Sequence, residues 1–128
     1  MSKTSVNARL AMIQAFAEFM DSGSQSATVI FYEGVQPANT SVAADSNNAL
    51  VTLVFPEPCI KETTATYVEL HSTDTATVIK TGTATWARIY NGAGEAAADL
   101  TVGTDIALAN TNLALGGTLA VTSIKLRP

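Results

Sequence analysis

The chain has 128 residues, of which 14% are charged, and seven basic against eleven acidic residues give a net charge of -4. This length predicts one domain over residues 1–128, large enough to fold without metals or disulfides. The basic residues are scattered, which excludes the clustered basic face that nucleic-acid binding requires. No apolar run approaches the roughly 20 residues that span a bilayer, so we expect no membrane partner. The first residues also lack the apolar core of a secretion signal.

Residues of the types that carry chemistry occur singly. The only cysteine, Cys59, cannot form an intramolecular disulfide and is compatible with assembly in a reducing cytosol. The only histidine, His71, shares a strand face with Glu69, but no further ligand at suitable spacing completes a metal site. A carboxylate pair built from distant acidic residues stays open as an alternative. We expect no metal, no cofactor and no enzymatic activity.

The stretch from Ser5 to Asp21 is the one predicted helix, because its apolar side chains recur at a spacing of three or four residues. Thr4 or Ser5 can cap its start, and Gly23 is a plausible stop. Arg9 falls within the apolar arc. Its stem can pack while the guanidinium reaches water, or it can form a salt bridge across a subunit contact.

The remaining chain, about residues 27–127, predicts short strands separated by turns. The expected strands cover residues 27–33, 49–55, 66–72, 75–80, 106–108, 113–115 and 118–126, besides the hairpin described below. The stretch from Ala49 to Phe55 is apolar on both faces, which predicts a central strand covered on both sides. In the last strand the apolar residues change from one face to the other. A β-bulge near Thr122-Ser123 would return all of them to the core side.

This spacing of strands and turns predicts a mainly β fold, an antiparallel β-sandwich or a jelly-roll-like barrel with one N-terminal amphipathic helix. A parallel α/β fold is disfavoured because only one helix is available.

The clearest hairpin extends from Gly82 to Gly103. Its second arm alternates between apolar residues and the polar Asp99 and Thr101, which is the pattern of a half-buried strand. At the tip, Asn91-Gly92 supplies the positive φ angles of tight turns, and the added Ala93-Gly94 indicates a four-residue loop or a bulged turn.

Two further features bear on binding. The polar stretch from Gly34 to Asn48 is a long loop, which is either functional or ordered by contact with something else. The aromatic residues favour core or interface positions, but several of them on one exposed face would make a sugar-stacking platform. These residues are Tyr32, Tyr67, Trp86 and Tyr90.

Two groups of residues carry a resemblance to a known class of proteins. The first comprises Gly82 to Ile89, Asp99-Leu100, Val102 to Leu108, Asn110-Thr111 and Gly117 to Ser123. The second comprises Arg9-Leu10, Ala15 to Phe19, Asp21-Ser22-Gly23, a strand near Ile30 and the Pro37 loop. Together they resemble small structural proteins of tailed bacteriophages and prophages.

The resemblance implies a capsid cement or decoration protein in the virion, assembled in the host cytoplasm. Such a protein binds on the capsid surface between neighbouring major capsid protein subunits, and a homo-oligomer, dimer or trimer, is expected on the particle. A tail or head-to-tail connector protein and a glycan-binding module are the alternatives. For the leading reading, the residues expected at contacts are Arg9, Val35, Gln36, Pro37, Asn39, Thr40, Asn91, Gly92, Ala93 and Gly94.

Overall fold

The computed structural model describes residues 6–56, 60–63, 67–103, 105–106, 108, 111–121 and 124–126. Within these ranges the fold consists of antiparallel sheets and one α-helix, α1 (Val6–Met20), which confirms the mainly β prediction. The strands of the first half are β1 (Thr28–Tyr32), β2 (Ala49–Val54), β3 (Ile60–Thr63), β4 (Val68–Leu70), β5 (Ala76–Thr77) and β6 (Gly82–Thr83). Those of the second half are β7 (Trp86–Tyr90), β8 (Ala96–Thr101), β9 (Asn112–Leu113), β10 (Thr118–Leu119) and β11 (Ile124–Leu126).

The largest sheet has four strands in the order β2-β1-β7-β8. Strand β7 lies inside it, paired with β1 through Ile30↔Arg88 and with β8 through Arg88↔Asp99. The inner face carries the hydrophobic core, because alternate residues of each strand point to one side. Its buried members on this sheet are Val29, Phe31, Val51, Leu53, Ala87, Ile89 and Leu100. The opposite face is here called the outer face.

Strand β2 lies at an edge of this sheet, so the prediction of a central strand covered on both sides is wrong. Thr52 and Val54 are exposed, and the outer edge accepts backbone hydrogen bonds from Asp74 and Ile79. The apolar residues that suggested two covered faces include Leu50. It is buried, and its carbonyl accepts a hydrogen bond from this neighbouring segment rather than from a further strand of the sheet.

The smaller sheets correct the prediction for the C-terminal segment. Instead of one bulged strand over residues 118–126, β10 pairs with β5, and β11 pairs with β4 in a different sheet of order β11-β4-β3. Residues 122–123, where the bulge was expected, lie outside the described residues. Strand β3 was not predicted, and Ile106 forms only an isolated bridge with Val102 rather than a strand.

The β7-β8 hairpin is confirmed, but its tip has a different geometry from the one expected. The φ angle is positive at Gly94, whereas Asn91 and Gly92 are not in that region. Asn91 accepts hydrogen bonds on Oδ1 from the amides of Ala93 and Glu95 at 3.0 and 2.9 Å. A left-handed Gly94 after this turn, with a register shift in the ladder, is the bulged form of hairpin connection.

The end of α1 is fixed against this hairpin tip, and we call this region the helix end of the sheet. The Gln25 amide donates to the Gly92 carbonyl at 3.2 Å, and Asn91 Nδ2 donates to Ser22 Oγ at 3.1 Å. A Cβ atom added at Gly92 would overlap the carbonyl oxygens of Gln25 and Ser22, and one added at Gly23 would overlap the hairpin backbone. Two glycines therefore permit direct backbone contact between the helix terminus and the hairpin.

Gly92→Ala is expected to lower the free energy of unfolding by about 3 kcal/mol, because the added methyl group meets fixed backbone rather than a mobile side chain. Gly94→Ala is the matched control. Its Cβ would meet nothing within 4 Å, so the cost is the left-handed backbone alone, about 1 to 2 kcal/mol. Chemical denaturation of both variants provides the measurement. Equal losses would show that the helix end does not pack this closely.

Candidate functional site

The outer face of the main sheet carries a cluster of polar and aromatic side chains. Tyr32 lies opposite Trp86, Trp86 lies opposite Thr101, and Arg88 lies opposite Asp99. These residues share one face because side chains alternate along each strand and the strands are in register. The alternation in β8 that predicted a half-buried strand thus places Asp99 and Thr101 in this cluster.

Arg88 and Asp99 form a buried bidentate ion pair at the centre of the outer face. Arg88 Nε donates to Asp99 Oδ1 at 2.7 Å and Nη2 donates to Oδ2 at 3.1 Å. Only 2% of the arginine is exposed, and its guanidinium carbon lies 5.4 Å from the centroid of the Trp86 ring. Hydrogen bonding to Asp99 raises the pKa of Arg88 and outweighs the opposing effect of burial. The arginine is therefore a fixed positive charge.

The same guanidinium holds the long loop, whose residues 34–45 are here called the strap. Nη1 donates to the Val42 carbonyl at 2.7 Å, and Nη2 donates to the Asn39 carbonyl at 3.4 Å. Thr101 Oγ1 also donates to Gln36 Oε1 at 2.7 Å. The strap is thus held on the outer face of its own sheet.

Two aromatic residues of the cluster, Tyr32 and Trp86, are enclosed, and Tyr90 is half-buried. Tyr32 and Trp86 are both buried and stack with centroids 4.4 Å apart and planes 15° from parallel. Tyr32 and Tyr90 share a hydroxyl hydrogen bond of 3.1 Å. Tyr67 is elsewhere, its hydroxyl 3.4 Å from Glu62. Three of the four aromatic residues do share a face, but they form packing contacts there and no exposed stacking platform.

The predicted contact residues fall into two groups that the structure does not bring together. Val35 is 92% exposed, and Thr40 and Asn39 are exposed on the strap, whereas Gln36 and Pro37 are half-buried. The hairpin tip lies at the helix end instead. There Ala93 and Gly94 are exposed, whereas Asn91 and Gly92 are buried. The side chain of Arg9 lies outside the described residues.

Two exposed apolar residues that the sequence did not single out lie near the strap. Ile79 is 63% and Leu115 is 67% exposed. The Ile79 amide donates to the Leu50 carbonyl, and the Leu115 amide donates to Thr81 Oγ1 at 2.9 Å. Both segments therefore lie at the end of the sheet opposite the helix end, where β1 ends and β7 begins. We call this region the loop end.

The loop end is held by polar contacts as well as by the sheet. Lys80 Nζ lies 3.2 Å from Glu33 Oε2 and donates to the Asn47 carbonyl at 2.8 Å. Thr85 Oγ1 donates to the Gly34 carbonyl at 2.7 Å, next to Val35. The Glu33 amide donates to the Asn48 carbonyl at 3.0 Å, closing the base of the strap. Ile79 and Leu115 at this end are thus carried on hydrogen-bonded segments.

Among the described residues, no group of three or more histidine, cysteine or acidic side chains is arranged to hold a metal ion. The one described helix is too short to cross a membrane. Comparison of the chain with protein-family models, curated proteins and solved structures finds no match.

Arg88→Met is expected to lower the free energy of unfolding by about 3 to 5 kcal/mol, because it leaves the Asp99 carboxylate buried without its partner. Lys80→Met is the matched control. It removes a cation from the more exposed pair with Glu33 and is expected to cost about 1 kcal/mol or less. Denaturant titration of the two variants measures the difference. Similar small losses in both would contradict the importance of the buried pair.

Tyr32 makes stability depend on alkaline pH. Burial is the larger cause, and the hydrogen bond to Tyr90 the smaller, that raise the pKa of Tyr32 above the usual tyrosine value near 10. The stability gained by keeping this phenol neutral is fully present below about pH 10 and is lost as the pH rises toward the folded-state pKa. In a spectrophotometric titration of the folded chain, the absorbance change that a Tyr32→Phe variant lacks should occur above pH 10. Ionisation of Tyr32 near pH 10 in the folded chain would contradict this account.

Proposed function

We propose that the chain is a structural protein of a tailed-phage virion, a capsid cement or decoration protein that binds between major capsid protein subunits. The proposal combines the sequence resemblance with one structural observation, the exposed apolar side chains at the loop end. Val35, Ile79 and Leu115 are 92%, 63% and 67% exposed, and all three lie in segments at this end of the sheet. Where exposed apolar side chains lie together, they are typical of protein interaction sites.

The loop end suits attachment to a repeated surface. Ile79 and Leu115 stand on backbone that is already hydrogen-bonded, so little conformational entropy is lost when a partner covers them. Binding of many copies, or of a dimer or trimer, to a symmetric shell converts weak individual contacts into firm attachment. As a capsid cement protein, the chain is further proposed to be non-catalytic, to arrange its sheets as a sandwich or jelly roll, and to lie on the capsid surface.

The proposal predicts stoichiometric amounts of the chain in purified virus particles. Quantitative mass spectrometry should give a copy number equal to that of the major capsid protein, or to a simple fraction of it such as one half or one third, because a cement protein occupies lattice sites. A ratio of a few per cent would instead indicate a tail or head-to-tail connector protein. Absence from particles would contradict both virion functions.

Val35→Asp and Leu115→Asp are each expected to weaken binding to capsids that lack the protein by about tenfold or more, because each places a charge where an apolar side chain becomes buried. Val54→Asp is the matched control, since Val54 is exposed on β2 toward the helix end of the sheet. Cosedimentation with capsids measures the affinity. Equal binding by all three variants would exclude the loop end as the contact surface.

A further inference from the structure

Hydrogen bonds from Arg88 and Thr101 attach the strap to the sheet. None of its residues is fully buried. Its turn is local, since the Val42 amide donates to the Asn39 carbonyl at 3.3 Å, and its last residue, Asp45, caps the single 3-10 turn that follows, Ser46–Asn48. Segments with little buried apolar surface open at a small fraction of the global unfolding free energy. The strap can therefore leave the outer face while the core stays folded.

The strap has the connections needed to swing outward without disturbing the sheet. It joins the neighbouring antiparallel strands β1 and β2, and the hydrogen bond from the Glu33 amide to the Asn48 carbonyl closes its base. Gly34 is the first residue of the strap and has a positive φ angle of 88°, a backbone conformation that residues with a side chain rarely adopt. Residues 34–45, extended out and back from this base, reach about 20 Å. That distance is enough to contact a neighbouring molecule.

We propose that the strap of one copy docks on the outer face of a second copy, and that the second strap docks reciprocally on the first. The second copy's strap fits this outer face because the same segment occupies it within one chain. There Arg88 donates to the Asn39 and Val42 carbonyls, and Thr101 donates to the Gln36 side chain. Exchange of identical elements forms two-fold symmetric dimers at low cost. The equilibrium shifts toward exchange wherever copies are held close together, since the effective concentration of the second strap then rises.

Cysteine cross-linking between two singly substituted chains tests this exchange. Gln36→Cys and Thr101→Cys are placed in separate chains, each also carrying Cys59→Ser to remove the native thiol. A short thiol-specific cross-linker can join the two new cysteines of different chains only if one strap lies on the other sheet. The mixture should give covalent heterodimer about tenfold above the control mixture of Ala93→Cys with Thr101→Cys. Ala93 is exposed at the helix end, away from the strap.

Two further measurements make the result decisive. The double variant Gln36→Cys/Thr101→Cys shows whether the cross-linker fits this pair within one chain. If it does, and the mixed single variants give no heterodimer above the control, exchange is overturned. If the substitutions impair folding, a mixed sample of isotope-labelled and unlabelled unmodified chains replaces them. An intermolecular nuclear Overhauser effect between the Gln36 side-chain amide and the Thr101 methyl group supports exchange, and its absence at millimolar concentration contradicts it.

Discussion

The buried ion pair between Arg88 and Asp99 is the interaction on which the outer face depends. Removing two charges from water is costly, and attraction between them compensates only when their remaining hydrogen-bonding groups also find partners. Here the carboxylate accepts two bonds from the guanidinium, and the guanidinium turns its other N–H groups to the Asn39 and Val42 carbonyls. The strap therefore completes the coordination of a charge that lies at the centre of the sheet.

This arrangement explains why one face of a four-stranded sheet is polar and yet largely covered. The inner face packs against the apolar core, as in most antiparallel sheets, and the outer face would ordinarily meet solvent. Arg88 instead draws the strap across it, while Trp86 stacks on the Tyr32 ring and lies 5.4 Å from the guanidinium carbon. The pairing of β7 with both β1 and β8 fixes the positions of all these groups, so the sheet register determines where the strap can attach.

Local pattern was sufficient to predict the hairpin, because the β8 alternation and the glycine-containing tip are properties of adjacent residues. It failed where the answer depended on distant segments. An apolar residue such as Leu50 is buried equally well by a neighbouring strand or by the segment ending at Ile79, so the sequence could not distinguish a central from an edge strand. The last segment divides between two sheets because β4 and β5, its partners, are themselves in different sheets.

The residues of the candidate site could be predicted from the sequence only in part. The length and polarity of the segment from Gly34 to Asn48 identified an unusual loop, and Val35 is indeed among its exposed residues. Asn91 and Gly92 have the composition of an exposed turn, but they are buried because the end of α1 folds against them. The Arg88–Asp99 pair could have been found by counting the hairpin register from its tip. Nothing in the local pattern marked Ile79 or Leu115 as exposed.

The central claim is that Arg88 binds the strap to the sheet, and the guanidinium protons of this residue report on it directly. Nitrogen-resolved NMR of the folded chain should show Arg88 N–H signals that exchange slowly with water and have nuclear Overhauser effects to strap residues, because the group is buried and bonded on both sides. In an Asp99→Asn variant, these protons should exchange faster. Rapidly exchanging Arg88 protons without contacts to the strap in the unmodified chain would contradict the account.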